Sequence, residues 1–369
     1  MPAESDPPAQ LKEWFNEERY RSLARLLKQA SPRFDTRRFL AATLEGLGER
    51  SLMQRLHQAA LAVDLALPGN FRARTEVLLE IAPQVGHSFV GICLCDYVAT
   101  FGLDAPAFSL EALRRLTPHG SAEFAVRPFL QRDLRGTLRV MREWTADTDE
   151  HVRRLASEGS RPRLPWGLRL RELVRDPGPS APILEALRDD PALYVRKSVA
   201  NHLNDITKDH PGHVLEMLAE WEIPRREERR WIAKHACRTL IKRGHPGALA
   251  LFGFGVAPSV RACIEASPRR ITLGGVLELT ARITSTSRQS QRLAVDYVVH
   301  YARSGGGASA KVFKWTEADL EGGAGLSLSK KQTLRDFTTR SHYPGSHRVE
   351  LQINGRRLAE TEFELRCPS

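Results

Sequence analysis

Residues 151–166 combine an acid, several arginines and one tryptophan at a spacing that could do chemistry. Glu158 lies at the end of a predicted helix, and the loop that follows is rich in glycine, proline and arginine and reaches Trp166. A carboxylate held among arginines suits a polyanionic ligand beside which a positive charge must be stabilised. On these residues alone, a structural acid paired with Arg154 four positions earlier is favoured over a catalytic one.

The opening of this stretch recurs 43 residues further along the chain. Val152 and Arg153 are matched by Val195 and Arg196, in a segment that ends at Asp205. A repeat of this length is typical of two-helix solenoid proteins. A single arginine is usually a solvated or paired surface residue, but its repetition on one layer of helices favours a series of contacts to phosphate groups.

The composition indicates an anionic partner. The chain has 369 residues, with 55 Lys and Arg against 44 Asp and Glu, and a net charge of +11. Nucleic acid is the leading candidate, followed by an acidic protein or a membrane surface. The sequence contains no apolar run of membrane-spanning length, and residues 1–8 lack the apolar core of a secretory signal, so we expect a cytoplasmic, monomeric protein. The five cysteines are expected to be reduced, buried thiols, and no residue cluster has metal-ligand spacing.

Residues 10 to about 252 are predicted to form helices joined by short turns. From about Asp104 the helices come in pairs, and the inner member of each pair carries the arginines. Stacked pairs of this kind form a curved superhelix with a concave face. The predicted outer helices are 107–116, 131–145, 181–189, 213–221 and 246–252, and the inner ones are 121–130, 149–158, 193–206 and 227–243.

After Pro258 the pattern changes to an alternation with a period of two residues. The predicted strands are 276–283, 293–301, 348–353 and 358–365, and Asn354–Gly355 is expected to join the last two in a tight hairpin. Several short strands with glycine-rich turns are typical of an immunoglobulin-like β-sandwich.

Three blocks of the sequence, 121–130, 151–166 and 194–205, resemble the signature blocks of bacterial AlkC-type DNA alkylation repair proteins. These proteins belong to the AlkC/AlkD superfamily of DNA glycosylases with HEAT-like repeats. The resemblance covers essentially the whole chain and includes the immunoglobulin-like appendage of one AlkC subgroup. It implies a multidomain α and β fold, with an α-helical HEAT-like repeat superhelix over residues 1–258 and an immunoglobulin-like β-sandwich over residues 259–369.

The resemblance also implies an activity. It indicates a monofunctional glycosylase that removes cationic N3-alkylated bases, such as 3-methyladenine and 3-methylcytosine, from double-stranded DNA without base flipping. No metal or cofactor is expected, because a cationic leaving group removes the need for a Lewis acid. The catalytic carboxylates of the family fall on Glu123, Glu158 and Asp205, and its aromatic residue falls on Trp166. An alkylated base is already a good leaving group, so carboxylates would instead stabilise the oxocarbenium-like sugar, and one would activate water.

Each of these residues has a structural alternative. Asp205 could be a helix-end acid beside Lys208, Glu123 a favourable acid in the first turn of a helix, and Trp166 a loop aromatic buried against the next helix. Two other function classes also stay open: a helical scaffold that binds a protein, and a DNA-binding protein of this fold without catalytic activity.

The basic residues expected to contact DNA form two groups. The helical group consists of Arg153, Arg154, Arg161, Arg163, Arg196 and Lys197. The group in the β-region consists of Lys330, Lys331, Arg335 and Arg340. The second group fits either a solubilising edge strand or a clamp on the DNA backbone opposite the helical concavity, and the sequence does not separate these two.

Overall fold

The computed structural model describes residues 11–86, 88–223, 226–255, 257–336 and 341–366, and it shows helices followed by strands. This order confirms the predicted fold class. None of the helices in these ranges is long and apolar enough to cross a membrane. The α-helices are α1 (Glu17–Ala30), α2 (Thr36–Leu44), α3 (Leu52–Ala66), α4 (Phe71–Val85), α5 (Phe89–Phe101), α6 (Pro106–Leu116), α7 (Arg127–Arg132), α8 (Leu134–Glu143), α9 (Glu150–Gly159), α10 (Arg171–Arg175), α11 (Ala181–Leu187), α12 (Leu193–Ile206), α13 (Pro211–Glu220), α14 (Glu227–Ala236), α15 (Arg238–Lys242) and α16 (Pro246–Leu251).

Polar side chains fix where several of these helices begin. Asp133 accepts a hydrogen bond from the Gly136 amide at the start of α8, and Asp149 accepts one from the His151 amide at the start of α9. Such caps satisfy amides that have no partner inside the helix. The caps therefore fix the residue at which α8 and α9 begin, and with it which residues of each helix face the core.

The helices of the two predicted repeats form an inner and an outer layer. The inner helix α9 packs against α12, and the outer helix α8 packs against α11. Two predicted inner helices differ. The segment 227–243 is interrupted at Cys237, between α14 and α15, and the segment 121–130 is helical only from Arg127 onward, with Glu123 in the turn that precedes it. Pro128 explains the second difference, because proline lacks an amide hydrogen and is tolerated only in the first turn of a helix.

The chain divides into two compact units. One comprises Met1–His210 with Pro224–His235, and the other comprises Pro211–Ile223 with Ala236–Ser369. In the second unit, the amide side chain of Gln352 donates to the carbonyl of Lys242 at 2.7 Å, so the last helices belong with the strands. The helix-to-strand change falls between Leu251 and Val260. The predicted domain boundary at residues 258 and 259 stays a prediction.

The strands form two sheets. A three-stranded sheet has the order β1-β3-β6, and a five-stranded sheet has the order β2-β8-β7-β4-β5. Only the β2–β8 pair is parallel among the strand pairs described. The strands are β1 (Val260–Ser267), β2 (Arg270–Thr272), β3 (Val276–Ser285), β4 (Gln291–Ala302), β5 (Ala308–Leu320), β6 (Gly325–Thr333), β7 (Gly345–Ile353) and β8 (Arg356–Arg366).

The predicted hairpin joins β7 to β8. Ile353 pairs with Arg356, and the two turn residues, Asn354 and Gly355, have φ of 47° and 78°. Gly355 also packs against the chain before α16, where a Cβ would lie 2.0 Å from the Cα atom of Gly244. A larger residue would therefore strain both the turn and this contact.

The cysteines only partly follow the prediction. Cys93, Cys95 and Cys237 are buried free thiols, as expected. Cys263 is exposed, so the prediction was wrong for it, because it lies on the outward face of β1, whereas its neighbour Ile264 faces the core. Cys367 lies outside the described residues.

Candidate active site

The three predicted catalytic carboxylates are linked through two arginines. The guanidinium of Arg161 donates through Nη1 to Glu158 Oε1 at 2.5 Å and through Nε to Asp205 Oδ2 at 2.8 Å. Arg154 forms an ion pair with Glu123, and its Nη2 lies 3.6 Å from Glu158 Oε1. The result is a row of alternating charges, Glu123–Arg154–Glu158–Arg161–Asp205, which we call the acid–arginine chain.

The central acids are buried. Glu158 is 6% exposed and Asp205 is 2% exposed. The Ser198 hydroxyl donates to Glu158 Oε2 at 2.6 Å, and Lys208 Nζ donates to Asp205 Oδ1 at 2.8 Å. Buried charges persist only when paired and hydrogen-bonded, and here every carboxylate oxygen of the two acids has a donor. The acids are therefore preorganised, as stabilisation of a developing positive charge requires.

Two helices and one turn carry these acids. Glu158 lies in the last turn of α9, and Asp205 lies in the last turn of α12. The turn before α7 carries Glu123, whose Oε2 accepts a hydrogen bond from Ser121 Oγ at 2.9 Å. Gly120 lets this turn approach α5 closely, because a Cβ at that position would lie 2.2 Å from the carbonyl carbon of Gly91.

A fully buried arginine supports the loop after α9. Arg127 donates through Nη1 to the Gly159 carbonyl at 2.8 Å and through Nε to the Leu168 carbonyl at 2.5 Å. Burial, and then the positive charge of Arg161, lower the pKa of Arg127 to about 10. For Arg161, burial acts in the same direction, but Glu158 and Asp205 together outweigh it and raise its pKa. Both guanidinium groups are therefore charged at neutral pH.

A buried histidine joins the two helices that carry the central acids. His202 on α12 donates through Nδ1 to the Ser157 carbonyl of α9 at 3.0 Å. Burial lowers the pKa of His202 to about 4, so the ring is neutral at pH 7. Sequence reasoning missed His202, Arg127 and Ser198. Their only signal was a polar side chain at a helix position that otherwise faces the core.

Trp166 is 67% exposed, and its backbone has a φ of 62°. The alternative of a loop tryptophan buried against the next helix is therefore wrong. A left-handed backbone is unfavourable for a residue with a large side chain and has to be held by its surroundings. Trp166 lies between Gly159 and Leu168, whose carbonyls Arg127 binds, so the exposed aromatic ring belongs to a loop that is anchored on both sides.

The repeated arginines are explained by the repeat itself. Arg153 donates through Nη1 to two carbonyls of the turn before α9, and Arg196 does the same in the turn before α12. The four accepting carbonyls belong to Asp147, Thr148, Asp190 and Pro191. The Nε of Arg153 also donates to Asp190 Oδ2 at 2.6 Å, which ties one repeat to the next. These contacts engage Nη1 of both arginines with the turns of their own repeats, and a role of the two arginines in phosphate binding stays a prediction.

The other predicted DNA contacts are distributed unevenly. Arg161 lies between two buried acids rather than at the surface, and Arg163 forms a two-pronged pair with Asp209, with both hydrogen bonds 2.8 Å long. Lys197 is exposed and forms no ion pair with any described residue. Lys330, Lys331 and Arg335 are exposed, whereas Arg340 lies outside the described residues.

The position of β6 bears on the second basic group. β6 is the edge strand of the three-stranded sheet, and it carries Lys330 and Lys331. An edge strand with exposed lysines fits protection against aggregation, and it fits a DNA contact equally. Both alternatives from the sequence therefore remain.

The part of the chain that the structure describes contains no group of three or more His, Cys, Asp or Glu side chains that could hold a metal ion. The carboxylates of the acid–arginine chain are engaged with arginine and lysine. A reaction without a metal stays a prediction.

The chain is similar to known proteins over almost its whole length. Residues 117–240 match the family model described as a DNA alkylation repair enzyme, and residues 261–367 match the C-terminal Ig-like domain of the uncharacterised protein YhaZ. The uncharacterized protein YhaZ of Bacillus subtilis (strain 168) is 39% identical over 359 residues, which are 97% of this chain and 99% of that protein. The structure of the Pseudomonas fluorescens alkylpurine DNA glycosylase AlkC, bound to DNA containing an abasic site analog, matches with a TM-score of 0.92 at 44% identity. That match covers 97% of this chain and 100% of the other.

Proposed function

This chain belongs to the family of AlkC-type DNA alkylation repair proteins, and on that premise we propose that it hydrolyses the N-glycosidic bond of cationic N3-alkylated bases in double-stranded DNA. The observation that carries the proposal is the acid–arginine chain, which holds the three carboxylates that the family resemblance assigns to catalysis. The substrates proposed are 3-methyladenine and 3-methylcytosine, and the protein would act as a monomer in the cytoplasm.

The alkylated base can leave without being protonated by a general acid. The bond between the sugar C1′ and the base nitrogen breaks, and its electron pair neutralises the positive charge of the alkylated base. A free base leaves, and the deoxyribose becomes oxocarbenium-like. Water then attacks C1′ and gives a proton to a carboxylate, which leaves an abasic site. Catalysis therefore consists of stabilising the sugar cation and activating water.

The arginines reduce the repulsion between the catalytic carboxylates and the phosphates of DNA. Glu158 and Asp205 would repel the DNA phosphates if their charges were uncompensated, but Arg161 lies between them. These contacts fix the acids in position, and the positive charge that forms on the sugar is attracted to them only as the bond breaks. Interactions that strengthen in the transition state are those that raise the rate.

Trp166 is proposed to contact the damaged nucleotide. Its ring is exposed, and the face of an indole attracts a cation. A methylated base carries such a charge, whereas an undamaged base does not. Contact between Trp166 and the base or its deoxyribose would therefore favour damaged sites without a deep pocket for a flipped base.

The experiment is the release of free bases from methylated duplex DNA, measured by chromatography. We expect release of 3-methyladenine and 3-methylcytosine, and much slower release of 7-methylguanine, as the family resemblance implies. The matched control is the Glu158→Gln variant on the same substrate. Binding to the duplex without release of any base would instead favour a DNA-binding protein of this fold, and equal release of 7-methylguanine would contradict the proposed specificity.

A further inference from the structure

A groove between the outer helices has no role in the proposed chemistry. It has a volume of about 470 Å³ and lies between α8 and the segment 176–183. Its apolar lining comes from Leu138, Pro179, Pro182 and Ile183, and its basic rim comes from Arg135, Arg139 and Arg142. None of these residues belongs to the acid–arginine chain. From this groove we propose a second binding site, which takes an acidic peptide segment of a partner protein that also carries an apolar side chain.

The charge of the rim is uncompensated. Arg135, Arg139 and Arg142 are exposed, and their side chains form no hydrogen bond or ion pair with any described residue. Other arginines of the same unit are paired, such as Arg132 with Asp104 and Arg188 with Glu185. Like charges three and four residues apart on a helix repel each other. An anionic ligand would remove that repulsion.

The three arginines share one face of α8. Positions separated by four and then three residues lie on one side of a helix and extend over about 10 Å. Guanidinium groups bind carboxylates through two parallel hydrogen bonds, so this row suits two or three successive acidic side chains. The apolar lining beside the row suits an aliphatic or aromatic side chain, which would anchor the segment by leaving water.

A peptide fits the groove better than a nucleic acid does. The backbone of a DNA duplex presents phosphates on a convex surface and has no apolar group to bury in a groove. Asp176 lines the opposite wall and is exposed, and the phosphodiester backbone of DNA has no hydrogen-bond donor to offer it. A peptide can instead donate a backbone amide to such a carboxylate. The groove therefore favours a protein ligand, which could be held while the acid–arginine chain is engaged with its substrate.

The test uses the full-length protein and a fluorescent peptide of three aspartates followed by leucine, proline and phenylalanine. Binding is followed by fluorescence anisotropy at increasing protein concentration. We expect saturable binding that R135E/R139E/R142E weakens at least about tenfold, because three attractive contacts become repulsive. Replacing the leucine and phenylalanine of the peptide by serine should weaken binding to a similar degree.

A matched variant separates the site from the net charge. R25E/R37E/R38E changes the charge equally at exposed arginines of α1 and α2 and should bind the peptide like the parent protein. Circular dichroism melting confirms that both triple variants are folded. The proposal is overturned if the peptide does not bind at millimolar protein, if both variants weaken binding equally, or if the serine peptide binds as well. Displacement of the peptide by an undamaged duplex from both the parent protein and R25E/R37E/R38E would assign the surface to DNA and also overturn it.

Discussion

Replacing Glu158 by glutamine should stop base excision while DNA binding stays intact or becomes tighter. The change removes one negative charge and keeps the size of the side chain. The amide oxygen of glutamine can still accept the hydrogen bond from Arg161, its amide nitrogen can donate to the Ser198 hydroxyl, and Arg161 keeps its contact with Asp205. The acid–arginine chain therefore loses one charge without losing its framework.

Three magnitudes follow from this geometry. Loss of one electrostatic contact to the transition state should lower the excision rate roughly 100-fold to 1,000-fold. Loss of one partner from a buried ion pair costs about 3–5 kcal/mol when the other charge is left alone. Because Arg161 keeps a second carboxylate, we expect a smaller loss of unfolding free energy, about 1–3 kcal/mol. Affinity for duplex DNA should not fall, because a charge that repels phosphate has been removed.

The assay is single-turnover excision of 3-methyladenine with enzyme in excess, combined with anisotropy on a duplex that contains an abasic site analogue. Asp190→Asn is the matched control, because Asp190 is also 6% exposed and paired with an arginine, Arg153, outside the acid–arginine chain. It should lower the melting temperature and leave excision intact in the folded protein. The same loss of excision is expected for Asp205→Asn. Excision at the parent rate in both site variants, or an equal loss in Asp190→Asn, would refute the mechanism.

Three further predictions concern metals, the β-region and pH. Dialysis against EDTA should not change excision, and activity that is lost and then restored by a divalent ion would contradict this. Replacing Lys330, Lys331 and Arg335 by glutamate should weaken duplex binding and flatten its dependence on log salt by about 0.9 per lost phosphate contact, whereas an unchanged slope would leave the cluster as a protected edge. His202 is buried in its neutral form, and burial lowers its pKa from the ordinary 6.5 to about 4. The free energy of unfolding should therefore decrease as pH falls from 6.5 to about 4, by up to about 1.4 kcal/mol per pH unit. In urea unfolding experiments, the free energy of unfolding of His202→Gln should decrease less over this pH range than that of the parent protein. Burial raises the pKa of Asp296 to about 6, so Asp296 acts in the opposite direction, but it does so equally in both proteins.

The sequence predicted α9, α12 and most strands of the core well, because their apolar residues recur with a clear period. It did not predict β1, β2, β5 or β6, which are the edge strands of the two sheets and whose side chains are mostly not buried. Edge strands lack the one-sided burial that produces a period of two.

The contacts inside the site were less predictable than its residues. The resemblance placed Glu158 and Asp205, but the position of Arg161 between them depends on α9 lying beside α12, which no local pattern encodes. The repetition of Arg153 and Arg196 predicts contacts to phosphate, which stays a prediction, but it gave no sign that both arginines also close the turns of their own repeats. A repeated residue type marks a repeated environment, and that environment can be structural as easily as functional.

The backbone of Trp166 has a consequence for laboratory evolution of this protein. An exposed indole on a left-handed backbone makes the free protein less stable than glycine would there, by about 1 kcal/mol of backbone strain. A library sorted only for heat resistance or expression level should therefore enrich glycine or asparagine at this position. The selected variants would be more stable and better expressed but would lack the aromatic ring. Each round of sorting should therefore also measure base release.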